Sequence, residues 1–224
     1  MNLPPTKNQI ASALSNWHEY GVLMQSREIF LNSVGEEDSG IDHNVAGTFI
    51  KNLKMLESVG SEPVVVHQYS IGGDQNAGFA IYDAIKSSPC KFIYICYGCA
   101  ASMGSIIPQA VFGKGVRITH PNCEWTIHEG DATIDGTTKQ VIANAEALKR
   151  SRNLMYEIYT DICRKGQFFK GKKPEEIKSI LKRRLNAKED WIMYGEEAVR
   201  YGFADGVFGK GRFKNMESTK DRLK

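Results

Sequence analysis

The chain has 224 residues, 42% of them hydrophobic and 25% charged, with a formal net charge of +3. This composition excludes a fibrous repeat or a wholly disordered chain and predicts a buried core, and the length is within what one α/β domain with extra segments can hold. The small net charge gives no electrostatic case for nucleic acid, and no run approaches the ~20 apolar residues that cross a bilayer.

Residues 1–16 lack the unbroken apolar core of an export signal, and five cysteines is an odd number for a disulfide framework. A reducing compartment, the cytoplasm, is therefore the expected location. Glu28-Ile29-Phe30-Leu31 reads as a short strand, the stretch from Gly35 to Gly40 as an acidic turn, and Val45 to Leu56 as a helix with apolar positions at helical spacing. Pro63-Val64-Val65-Val66 restarts a β-branched strand that ends at Gly72-Gly73, and Ala77 to Ile85 is a second helix closing before Pro89. Phe92 to Tyr97 is uniformly apolar, as suits a strand covered on both faces of a largely parallel sheet. Strand and helix alternate, which implies βαβ crossovers.

Beyond a segment around Val116–Thr119, Glu124 to His128 reads as a strand ending in histidine. From Thr137 to Cys163 the positions Val141, Ala145, Leu148, Met155, Ile158 and Ile162 trace one face of a long helix without Gly or Pro. A compact domain of this size does not need such a length, so part of that face is expected against another subunit. Arg164 to Arg184 is markedly basic and reads as a solvated face or an insertion.

Chemistry concentrates in Gly98-Cys99-Ala100-Ala101-Ser102-Met103-Gly104, between the buried strand and a helix expected from Ser105 onward. A serine at a strand-to-helix turn is either an exposed nucleophile or an ordinary helix cap. Pro108 should kink or shorten that helix. Gly72-Gly73 permits a tight turn whose N–H groups form one side of an oxyanion hole, or simply a bend; the spacing of phosphate-binding loops is absent. Among five histidines, His128 is the one at a strand end beside Gly130, as suitable for a base as for a structural role. Too many acidic residues are present to choose a third member. Cys96-Tyr97-Gly98-Cys99 is a C-x-x-C without a second pair, which favours small apolar filling over a metal or redox centre.

In order along the chain, Gly98–Gly104 resembles the nucleophile motif of the ClpP family of serine peptidases, and Thr126-Ile127-His128 its histidine motif. Trp17 to Tyr20 with Arg27 to Leu31, Ala77 to Asp83, Lys188 to Met193 and Glu197 to Gly202 resemble further family segments. The resemblance implies a ClpP/crotonase-like fold of repeated βαβ units over residues 17–208, with 137–163 as a protruding handle helix. Residues 1–16 would be an axial loop or propeptide, and 209–224 a polar tail. It also implies Ser102 as nucleophile, His128 as general base, Asp190 as the carboxylate orienting it, the amides of Gly73 and Met103 as oxyanion hole, and strand edges at Gly72 and Gly130 that pair with substrate.

The family needs no metal or cofactor. It acts on polypeptides inside two stacked heptameric rings, and a partner AAA+ unfoldase, rather than this subunit, consumes ATP. Three departures stand out. Ile71 replaces a proline before the glycine pair, the basic insertion at 164–186 has no family role, and Val65 and His67 occupy positions where the family presents aromatics to its unfoldase. The last weakens docking of a ClpX-like or ClpA-like partner. Besides a peptidase of this kind, a viral capsid-maturation relative, a noncatalytic subunit of a mixed ring and a crotonase-type acyl-CoA enzyme share parts of the pattern.

Overall fold

The apolar run beginning at Phe92 forms the centre of the fold because every side chain from Phe92 to Cys96 is excluded from solvent. In the computed structural model, which describes residues 6–31 and 40–223, this strand continues to Ala101. Residues 35–39 of the acidic turn expected from Gly35 to Gly40, and the first five residues, lie outside the described residues.

Helix α1 (Lys7–Tyr20) precedes strands β1 (Val22–Leu23) and β2 (Glu28–Leu31); then come α2 (His43–Val59), β3 (Val64–Ser70), α3 (Gln75–Ser87), β4 (Phe92–Ala101) and α4 (Met103–Ile106). Next are β5 (Gly115–Thr119), β6 (Glu124–Ile127), α5 (Thr138–Cys163), α6 (Pro174–Lys188), β7 (Trp191–Tyr194), α7 (Gly195–Tyr201), β8 (Gly206–Val207) and α8 (Met216–Lys220). The sheet runs β1-β2-β3-β4-β5-β8, with β6 pairing β4 and β7. All pairings are parallel except β1 with β2 and β6 with β7, so the alternation of strand and helix delivers the expected α/β fold.

The division of β4 between two neighbours decides where the site lies. Phe92–Cys96 pair with β5, whereas Cys99–Ala101 pair with β6. β6 therefore starts where β5 diverges, and its far edge carries β7.

The main core lies beneath α2, α3 and the buried half of α5. On the opposite face Val65, Ile93, Ile95 and Ile118 pack with Phe213 and Leu223 from the polar C-terminal residues, which fold back as short helical turns. Only the part of α5 from Met155 onward is embedded: Met155, Ile158 and Ile162 are buried, whereas Ile142, Leu148 and Leu154 are exposed. The basic stretch after it does present lysines and arginines to solvent, but it is also packed. Phe169 is buried, and α6 buries Ile177, Leu181 and Leu185, one side chain per turn.

The helix expected from Ser105 begins two residues earlier and, after one turn, passes into a 3-10 segment at Ile107–Val111. Pro108 lies in that segment, where its missing N–H removes an α-helical hydrogen bond.

Candidate active site

Three consecutive strands in the lateral order β4, β6, β7 each end at one of the residues the sequence points to. Ala101 pairs with Thr126 at the end of β4, and the Ser102 amide extends the ladder by donating to Thr126 O at 2.9 Å. His128 follows the last residue of β6. Ile127 pairs with Trp191, so His128 and Asp190 are the next facing positions beyond the antiparallel ladder.

Ser102 has φ 51° and ψ −124°, a conformation sparsely populated by residues with a side chain. It occupies the N-cap position of α4, yet its side chain makes no cap hydrogen bond, so the helix-cap reading of this serine does not hold. The backbone around it is fixed. Ser102 O accepts from the Ser105 amide at 2.9 Å and the Ser105 hydroxyl at 2.6 Å, and Ser105 Oγ lies 2.7 Å from the Tyr159 hydroxyl on α5. Strain at a turn held this firmly from both sides suits a nucleophile whose hydroxyl must stay off the backbone.

The small residues nearby are required by space. A side chain at Gly72 would place its first carbon 2.5 Å from Ser102 Cβ, and one at Gly73 would meet Ile41 N at 2.3 Å. Ile41 lies alongside as a parallel bridge, its amide donating to Gly72 O and its carbonyl accepting from the Asp74 amide, both at 2.6 Å. The Gly72 amide donates to Ser70 Oγ at 3.1 Å. Gly72 thus has its N–H engaged within the chain and its carbonyl already accepting, so its contribution beside Ser102 is free space. Gly130, at φ 86° and with open space where a side chain would stand, lies in the irregular stretch after His128.

His128 Nδ1 lies 3.8 Å from Asp190 Oδ1, an ion-pair separation longer than a hydrogen bond. His128 Nε2 is buried and, among the described residues, has no hydrogen-bond partner. An orphaned buried ring nitrogen costs free energy unless something fills it in the working state. Ser102 and His128 line one groove of about 1160 Å³, whose walls include Gly73, Met103, Gly130 and Met155. Reacting groups of hydrolases are often loosely aligned without substrate and tighten around it.

Sequence reasoning missed the groups behind His128. The Glu129 carboxylate accepts from the hydroxyl of Tyr156 and, at 2.9 Å, from Arg152 Nη1, both on α5. Burial, and then the hydrogen bond to Glu129, push the Tyr156 phenol well above its ordinary range, so it stays a donor. The only sequence signal was Met155-Tyr156 in the α5 apolar stripe. The C-x-x-C thiols lie apart from this chemistry: burial raises both Cys96 and Cys99, and a thiol kept protonated is a poor nucleophile or metal ligand. Among the described residues no group of His, Cys, Asp and Glu has the makings of a metal site, and no helix is long and apolar enough to cross a membrane.

The family model described as Clp protease matches residues 12–211. A variant of ClpP1 from Listeria monocytogenes has a similar structure, with a TM-score of 0.66 and 21% sequence identity, over 88% of this chain and 96% of that one. At this identity the likeness establishes the fold.

Proposed function

The chain belongs to the Clp protease family, and from that premise we propose that it is a serine endopeptidase whose nucleophile, base and orienting carboxylate are Ser102, His128 and Asp190. The observation that carries this reading is the convergence of those residues at the ends of three adjacent strands, with Ser102 and His128 lining one groove and His128 Nε2 buried and, among the described residues, without a partner.

In this reading a peptide lies extended in the groove beside Gly130, and Gly72 keeps clear the space next to the serine. Ser102 Oγ attacks the scissile carbonyl as its proton passes to His128 Nε2. The imidazolium that results is stabilised by Asp190 on the Nδ1 side. The amides of Gly73 and Met103 receive the oxyanion; Met103 is the first residue of α4, and its N–H has no intrahelical acceptor. Collapse of the intermediate expels the amine, which takes the proton from His128, and leaves an acyl-Ser102 ester. Water, deprotonated by His128, then hydrolyses this ester and regenerates the serine.

Ile142, Leu148 and Leu154, exposed on the part of α5 before Met155, support assembly through that helix into the two stacked heptamers of the family reading. An unfoldase of the usual kind is less supported. Val65 is buried beneath the C-terminal turns, and His67 is engaged by Tyr97 at 2.9 Å and Glu28 at 3.0 Å.

Labelling of wild-type and Ser102→Ala protein with a fluorophosphonate, with native mass measured in parallel, tests the proposal. Labelling that disappears in the variant, in a particle of about fourteen subunits as the family reading requires, is the expected result. An assembled wild type that takes no label would instead identify a noncatalytic subunit.

A further inference from the structure

The basic stretch after α5 has no part in the chemistry above, yet α6 ends two residues before the β7 strand that follows Asp190. Most of its cations face water, but Arg184 is half-buried. Its guanidinium lies 4.6 Å from the ring centre of Trp191, 5.0 Å from that of Tyr201 and 5.5 Å from that of Phe168, and it donates to the Tyr201 hydroxyl at 3.2 Å. Among the described residues it has no carboxylate partner. A flat, weakly hydrated cation held by ring faces and one phenol hydroxyl fixes the orientation of those rings.

Trp191 is the ring that matters. Tyr201 and Phe203 pack edge-on against it, at 4.7 and 5.7 Å, so Arg184 completes its enclosure. Trp191 pairs with Ile127 in the last rung of the β6–β7 ladder, next to both His128 and Asp190. On its other side, Asp190 follows Glu189, a non-glycine residue at φ 55° that ends α6. The Asp190 side chain is itself 56% exposed, and His128 is its one side-chain partner among the described residues. Its position is therefore set by the chain on either side, between the end of α6 and the seat of Trp191. The same helix reaches the other half of the pair, because Lys182 lies 5.5 Å over the ring of Tyr156, which holds Glu129 next to His128.

We propose that α6 is the positioning element of the His128–Asp190 pair and that Arg184, acting through Trp191, is the positioning residue for Asp190. The inference rests on the reading of these two residues as base and orienting carboxylate.

The test uses the full-length assembled protein, a fluorogenic peptide and the variants Arg184→Met, Arg184→Lys, Asp190→Asn and Arg184→Met/Asp190→Asn. Arg184→Met should lower kcat about 10-fold or more, since small displacements of catalytic groups carry losses of that order, and leave KM within about twofold. Lysine should restore part of the loss. In the Asp190→Asn background the methionine substitution should add less than about twofold, because the residue it acts through is already disabled. Hydrogen exchange read on the peptide spanning Asp190 and Trp191 should quicken in Arg184→Met, with the rest of α6 unchanged.

A loss of equal size in the Asp190→Asn background overturns the proposal, as does unaltered exchange at Asp190 and Trp191. The exchange measurement also separates this inference from the peptidase reading. If wild type cleaves nothing and takes no label, the peptidase reading falls, while exchange still decides whether Arg184 holds Asp190. Arg184→Lys serves the same comparison should the methionine variant not fold.

Discussion

The hydroxyl of Tyr156 donates to the carboxylate of Glu129, so that a side chain embedded in α5 holds the residue immediately after His128. The half of α5 that projects into solvent and the half that grips this loop form one continuous helix. Tyr156→Phe keeps the ring packing and removes only the donor. Because Glu129 retains Arg152 and is partly reached by water, the expected stability loss is ~1 kcal/mol in chemical denaturation. A fall in kcat larger than that stability change would show that the bond serves the base; unchanged kcat would count against it.

Asp190→Asn should lower kcat by about 10²-fold, within the range that positioned acid–base groups contribute. Its carboxylate stands 3.8 Å from the imidazole and is open to water, so its loss should be smaller than that of Ser102→Ala. Equal losses at the two positions would mean that the pair closes to a tight hydrogen bond in the working particle. Steady-state hydrolysis of one peptide by both variants provides the comparison.

Gly72→Ala should be destabilising and inactive at once. The new methyl carbon meets Ser102 Cβ at 2.5 Å and Ala101 O at 2.8 Å, at a residue whose φ is 100°. Backbone strain of this kind costs ~1–3 kcal/mol before the clash with the serine is added. A lower melting temperature with fluorophosphonate labelling lost is expected. A variant that labels at the wild-type rate would show that the groove can widen.

Glu28 gives the fold a dependence on acid. The hydrogen bond from His67 holds its carboxyl below the ordinary value of 4.5, against a smaller opposing effect of burial. A carboxylate with a depressed value in the folded state adds stability above its unfolded value, and that stability fades as pH falls through the folded one. Glu28→Gln should therefore be less stable than wild type at neutral pH by up to ~1 kcal/mol, since the pair is partly screened by water. The difference should close below pH ~4. Urea titrations at the two pH values read it directly, and a difference that persists in acid would exclude this origin.

The sheet and its helices were legible because their apolar positions repeat at the right period, from Phe92–Cys96 to Met155, Ile158 and Ile162. Two start signals were present but unread or half-read. Thr6 with Gln9, and Thr137 with Gln140, are reciprocal capping boxes that open α1 and α5. α6 was obscured by its charge, although Ile177, Leu181 and Leu185 recur every four residues beneath the lysines and arginines. The folding back of the last residues was less visible, since it depends on single side chains such as Phe213 finding the far face of the sheet. In the site, Ser102 and His128 could be picked out by their place at strand ends. Asp190 could not, because its relation to His128 arises from the β6–β7 register, a contact between distant parts of the chain. Arg184 and Tyr156 were hidden for the same reason: nothing local distinguishes them from neighbours of the same type.

The backbone at Ser102 would suit glycine better, since φ 51° with ψ −124° is a conformation that a residue without a side chain adopts freely. Ser102→Gly should raise the melting temperature while abolishing any chemistry at the hydroxyl; a lower melting temperature would show that the serine side chain is itself stabilising. Foldability and reactivity thus pull in opposite directions at this one codon. A lineage that no longer needed the hydroxyl would gain stability by losing it, and would drift toward a sturdier but inert subunit.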